Sequence, residues 1–276
     1  MKNNIRLIGI DMDGTLLNSL QEVSKENRRV LKMASDAGIC IVIATGRVYS
    51  SARLFARYTG IPAPIIACNG AIIKDGETEE VLYSETLPLH DVEVCIRLAL
   101  AWNVYYHVFS ENTLFSQRME YGAKSYRRLN ESLAEKDQIC VEVLPTPEQI
   151  LERSADKVLK AVIVDEDLHK LAEIRRILQA NGHLEISSSW YNNIEIMKKG
   201  VNKGTALGKV ALLLGIPKSE VMALGDSEND LSMLQFAGTA VAMGNALPEV
   251  KVIADFVTLS NDEDGVAHAL LQYLQI

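Results

Sequence analysis

An apolar run, Ile5-Arg6-Leu7-Ile8-Gly9-Ile10, rises to Asp11 and is followed at once by Met12-Asp13-Gly14-Thr15. The run reads as a buried parallel strand, which needs no polar alternation when helices cover both faces. Two carboxylates therefore stand at a carboxyl strand end, the edge where open α/β sheets bind ligands. Gly14 permits a sharp turn there. Taken alone, Asp-x-Asp-Gly is equally the composition of a solvated turn, so other residues must decide. Thr45, after the apolar run Ile39 to Ala44, could offer its hydroxyl to a phosphate oxygen in front of a helix N-terminus, or simply cap that helix. Lys203 opens a helical stretch, where the helix dipole disfavours a cation. Screening a carboxylate from a phosphate would give it a reason to be there; otherwise it is a solvated lysine. Asp226 and Asp230 follow another apolar run in Gly225-Asp226-Ser227-Glu228-Asn229-Asp230. Acidic groups gathered near Asp11 would repel one another unless a divalent cation neutralised them. Mg²⁺ suits such oxygen donors together with a substrate phosphate.

Alternating elements must hold these residues. Ser24 reads as the N-cap of a helix to about Ala37, closed by Gly38. Ile39 to Ala44 is a second strand, a helix follows Arg47 to about Thr59, and Ile65 to Cys68 is a third strand. This alternation predicts parallel βαβ units. Ala71–Lys74 and Glu80–Tyr83 then flank an Asp75-Gly76 turn as a hairpin. From there to Ser189 the order is mixed. Helices are expected at 92–101, 123–133 and 168–180. Strands are expected at 105–109, 113–116, 139–144, 159–164 and 184–188. The βα rhythm returns with a strand at 194–197 and a helix from Lys203 to about Leu214. Strands at 221–224, 240–243 and 256–259 alternate with helices to the end. The economical reading is an α/β unit with a Rossmann-like parallel sheet, residues 1–84 and 190–276, interrupted by an α+β unit at 85–189.

The ordered set Asp-x-Asp-Gly-Thr, Thr-Gly-Arg, Lys-Gly-x-Ala and Gly-Asp-x-x-Asn-Asp, each at an element boundary, resembles the motif set of the haloacid dehalogenase-like phosphatase superfamily. It looks most like the Cof-type phosphatases, and the insertion between the Thr and Lys motifs is similar to a C2B cap. The resemblance implies hydrolysis of a small phosphate monoester, a sugar phosphate or related metabolite. Asp11 would be the nucleophile that becomes an aspartyl-phosphate, and Asp13 the general acid and base. Mg²⁺ would lie between Asp11, the Asp13 carbonyl and Asp226, with Asp230 in support. Thr45, Gly46, Lys203 and Asn229 would contact the phosphate. A carboxylate at position 13 favours rapid hydrolysis over a long-lived acyl phosphate. A phosphomutase and a non-catalytic phospho-acceptor module are the competing readings.

The 276 residues are 48% hydrophobic and 23% charged, ordinary for one large or two medium globular domains. A formal net charge of −8 argues against a general nucleic-acid partner and leaves local cations to attract an anionic substrate. No apolar run is long enough for a bilayer, and Met1-Lys2-Asn3-Asn4 carries no secretion signal, so a cytoplasmic location is expected. Cys40, Cys68, Cys95 and Cys140 form no Cys-x-x-Cys pair and read as buried thiols. Tyr105, Tyr106, His107, Arg118, Tyr126, Arg127 and Arg128 in the insertion are candidates for holding the rest of a substrate.

Overall fold

The structure, a computed structural model, describes residues 4–274. The chain enters through β1 (Leu7–Asp11), whose five residues are all buried. Helix α1 (Lys25–Asp36) is capped by the Ser24 side chain, which accepts the Asn27 amide, and turns Val30, Leu31 and Ala34 inward. Strand β2 (Cys40–Ala44), helix α2 (Tyr49–Arg57) and strand β3 (Ile65–Ala67) follow. The expected hairpin forms as β4 (Ile72–Lys74) and β5 (Val81–Ser84), paired antiparallel.

The chain then leaves this sheet. It runs through α3 (Leu89–Ala101), β6 (Tyr105–Phe109), β7 (Thr113–Ser116), α4 (Tyr121–Asn130), β8 (Cys140–Val143), α5 (Pro147–Ser154), β9 (Lys160–Val164), α6 (Leu168–Ala180), β10 (Leu184–Ser187) and β11 (Asn193–Lys198). It returns through α7 (Lys203–Leu213), β12 (Val221–Gly225), α8 (Leu231–Phe236), β13 (Thr239–Ala242), α9 (Pro248–Ile253), β14 (Phe256–Val257) and α10 (Gly265–Leu274).

Two sheets result. The first has eight strands in the order β14-β13-β12-β1-β2-β3-β4-β5, parallel from β14 to β3 and antiparallel beyond. The second has six, in the order β10-β11-β9-β6-β7-β8. Its strands alternate by the twofold period of the pleat. Tyr106, Val108, Ala161, Ile163, Ile194 and Ile196 pack with α3, α5 and α6 in one apolar cluster. The opposite face carries His107, Phe109, Lys160, Val162, Val164 and Glu195 toward a cavity beside the first sheet.

Three expectations are corrected. The strand at 193–198 belongs to the second sheet, antiparallel to β9 and β10, so the chain rejoins the first sheet's layer near residue 199 and not at 190. Its apolar residues fit either sheet; only the hydrogen-bond partners, distant in sequence, assign it. Helix α5 was not expected, although Thr146 accepts the Gln149 amide as its N-cap and Pro147 stands in its first turn, both recognisable start signals. All four cysteines are free, but Cys140 is exposed at the start of edge strand β8. Among the described residues no helix is long and apolar enough to cross a membrane.

Candidate active site

Parallel pairing brings the carboxyl ends of β12, β1, β2 and β3 to one edge, and every residue of the predicted constellation sits there. Asp11 is the last residue of β1 and is almost fully buried. Lys203, at the first turn of α7, donates from Nζ to Asp11 Oδ1 at 2.5 Å and to Asp230 Oδ1 at 2.7 Å. Asn202 and Thr205 form a reciprocal capping box around that helix start. Lys203 and Asp230 are wholly inaccessible. The helix dipole and burial both oppose a cation there. Burial alone would lower the Lys203 pKa, but Asp11 and Asp230 hold it above its ordinary value.

Asp230 Oδ2 also accepts the backbone amides of Asp226 and Ser227 at 2.9 and 3.0 Å. It therefore braces the loop after β12 as well as Lys203. Asp226 is oriented by hydroxyls, from Thr15 to Oδ1 at 2.8 Å and from Ser227 to Oδ2 at 2.9 Å. Gly14 runs beside it at φ +77°, and a Cβ there would come within 2.5 Å of the Asp226 carboxylate. No side chain fits position 14 without moving Asp226.

One carboxylate oxygen from each of Asp11, Asp226 and Asp230 lies within 4.8 Å of the others. Burial, then the Asp230 charge, raises the Asp11 pKa well above the usual carboxylate range, with Lys203 opposing. Burial and Asp230 together push Asp226 up to about 6. Two carboxyls that resist ionising together, open to the same cavity and offering only hard oxygen donors, are the arrangement a divalent cation relieves.

Thr45 lies in the same cavity and accepts the Arg47 amide on its own hydroxyl at 3.1 Å, but it does not cap α2, whose N-cap is Val48. Arg47 grips Asp13 bidentately at 2.7 and 2.5 Å, also donates to Gln21, and lies over the Phe55 ring. Asn229 also lines the cavity, but its amide donates to Asn69 Oδ1 at 3.1 Å.

Asn69 belongs to a polar chain that sequence reasoning missed. Its Nδ2 donates to Glu195 Oε2 at 2.7 Å. Lys160 donates to Glu195 Oε1 and to the Gly46 carbonyl, both at 2.5 Å. A buried ion pair of the second sheet thus reaches the loop after β2. A Cβ at Gly46 would meet Asn69 Oδ1 at 3.0 Å and Lys160 Nζ at 3.2 Å. The available signal was a lysine and a glutamate each inside an apolar strand, where an unpaired charge is not tolerated.

The cavity has a volume of about 1060 Å³ and is bounded by residues of both sheets. Of the candidates in the insertion, His107, Tyr126 and Arg128 line it; Tyr105, Tyr106, Arg118 and Arg127 do not. Burial, and then the Lys160 charge, lowers the His107 pKa to about 3, so its ring is neutral.

The model of the haloacid dehalogenase-like hydrolases matches residues 8–270 of this sequence. The chain belongs to that family. It is 35% identical to the 5-amino-6-(5-phospho-D-ribitylamino)uracil phosphatase YwtE of Bacillus subtilis over 98% of both chains. It is 34% identical to a second B. subtilis phosphatase of the same description, YcsE, over 98% of this chain and 96% of that one. A solved haloacid dehalogenase-like hydrolase from B. subtilis superposes with a TM-score of 0.86 at 32% identity, covering 96% of this chain and 99% of that structure. The chain is accordingly an enzyme, a phosphatase of the haloacid dehalogenase type.

Proposed function

We propose that the protein hydrolyses a small phosphate monoester in two steps on Asp11, with Mg²⁺ as its cofactor. The observation that carries this is the Asp11–Lys203–Asp230 ion triad, buried at a strand end beside Asp226 and opening onto a large cavity. Lys203 fixes Asp11 through Oδ1 and leaves Oδ2 without a hydrogen bond among the described residues, free for in-line attack on phosphorus. Asp11, Asp226 and the Asp13 carbonyl would hold the metal ion, which when bound neutralises charge on the phosphoryl oxygens. Thr45, Lys203 and backbone amides of the first loop stabilise the remaining charge. Asp13 protonates the leaving alcohol and later activates water on the acyl phosphate. To do so it must leave Arg47, and an arriving phosphate offers that guanidinium alternative oxygens.

The catalytic unit of this reading comprises residues 1–84 and about 199–276, which the return of the chain to the first sheet's layer after β11 supports. The second sheet forms the cap that covers the substrate, and a cytoplasmic location fits four free cysteines. The relatives' descriptions favour a phosphorylated polyol or sugar, with a heterocycle attached to it in the two Bacillus cases. A metabolite-phosphate panel, run with Mg²⁺ and with EDTA beside Asp11→Asn, tests the reading. Metal-dependent phosphate release that disappears in the variant is expected. Undiminished release from Asp11→Asn refutes the assignment.

A further inference from the structure

Trp190 stands in the connection between β10 and β11 and is 66% exposed, yet it lines the same cavity as Asp11. An indole left in water is unusual, since aromatic side chains ordinarily bury most of their large apolar area. Its loop is nevertheless stiff. Asn193 Oδ1 accepts the amides of Ser189 and Trp190 at 3.2 and 3.1 Å. Tyr191 and Asn192 both donate to Glu166, at 3.1 and 2.8 Å. The Ser188 carbonyl accepts the Asn229 amide at 3.2 Å, which ties the loop to the segment carrying Asp226 and Asp230. The indole is thus presented in advance on the side of the cavity provided by the second sheet, where Phe109, Tyr121, Leu129, Val162 and Val164 add apolar surface. Stacking on a rigid, preorganised ring loses little conformational entropy.

We propose that Trp190 selects the alcohol half of the substrate by stacking on a planar unsaturated ring, so that the enzyme prefers phosphate esters whose alcohol carries such a ring over purely aliphatic ones. This deepens the phosphatase reading and rests on it.

Two measurements test it. In the first, kcat/KM is determined for phenyl phosphate and glycerol phosphate with wild type, Trp190→Ala and Trp190→Phe. The phenyl-to-glycerol ratio is expected to fall roughly tenfold in Trp190→Ala, mostly through the KM of the phenyl ester, and to be largely kept in Trp190→Phe. In the second, Trp102→Phe leaves Trp190 as the single indole of the two in the chain. With Asp11→Asn added to prevent turnover, phenyl phosphate should shift Trp190 emission and glycerol phosphate should not. A ratio unchanged in Trp190→Ala, or emission indifferent to phenyl phosphate, overturns the stacking while leaving the phosphatase reading intact. An altered elution volume of Trp190→Ala at an unchanged ratio also overturns it, assigning the indole to a contact between copies. If wild type releases phosphate from no ester in the panel, the functional reading fails and this inference fails with it.

Discussion

Removing one member of the buried Lys160–Glu195 pair should cost far more than removing both charges. The two side chains are 2% and 4% exposed, so solvent does not screen them. Lys160→Met leaves Glu195 charged among apolar strands with, among the described residues, only Asn69 as a hydrogen-bond partner. Breaking a buried pair from one side costs roughly 3–5 kcal/mol. Unfolding entropy of about 2.1 cal/mol/K per residue gives, for 276 residues, about 0.58 kcal/mol/K. The expected fall in Tm is therefore about 5–9 °C, and Glu195→Gln should fall by a similar amount because it strands the ammonium. The double variant Lys160→Met/Glu195→Gln carries no charge at the site and keeps a carbonyl for Asn69. It should return to within about 3 °C of wild type, since an uncharged replacement of a buried pair is often neutral. Calorimetric melting of the four proteins measures the coupling. Losses that simply add in the double variant refute the argument. The pH dependence supplies a second check. Burial alone would raise the Glu195 pKa, but Lys160 and then Asn69 bring it below its ordinary value. A depressed carboxylate stabilises the fold above its unfolded pKa and loses that contribution as pH falls through the folded one. Without Lys160, burial raises the Glu195 pKa instead, so the Tm gap between wild type and Lys160→Met should begin to narrow above the ordinary glutamate value of about 4.3 and go on narrowing below it.

Further outcomes follow from the site. Asp13→Asn should keep its Tm and lose about 10²–10⁴-fold in phosphate release, read by steady-state assay. Lys203→Met removes the shared cation of two buried carboxylates, and a Tm loss at least as large as that of Lys160→Met is expected, partly recovered by adding Asp230→Asn. Mg²⁺ at a hundredfold excess over its Kd should stabilise the protein by about 2.7 kcal/mol, close to 5 °C in a thermal-shift assay, and Asp226→Asn should abolish the response. Asp226, at about 6, is raised above its unfolded value, so the metal-free fold takes up a proton that the unfolded chain does not. In EDTA its Tm should rise as pH is lowered from 7 to 5, and Asp226→Asn should reduce that slope, Asp11 supplying the remainder.

The order of strands and helices in the α/β unit was legible because each local signal agreed with the next: an apolar run, a turn residue, then a capped helix. Asp11, Thr45, Lys203 and Asp226 were legible for the same reason, each standing where an element changes. Parallel pairing then had to bring them to one edge, since four carboxyl strand ends of a parallel sheet face the same way. The membership of β11 was not legible. Ile194 and Ile196 are apolar in either sheet, and only partners far along the chain distinguish the two. Lys160 and Glu195, 35 residues apart in sequence, signalled only that a charge inside an apolar strand needs a partner, not which partner. Their pairing exists because β9 and β11 are neighbours in the second sheet, and their bond to Gly46 exists because that sheet lies against the first. The sequence by itself therefore determined the chemistry available at Asp11 and the elements that carry it. The tertiary structure decided which charges neutralise each other, that Arg47 holds Asp13, and which side chains line the cavity, because contacts across the chain have no local signature.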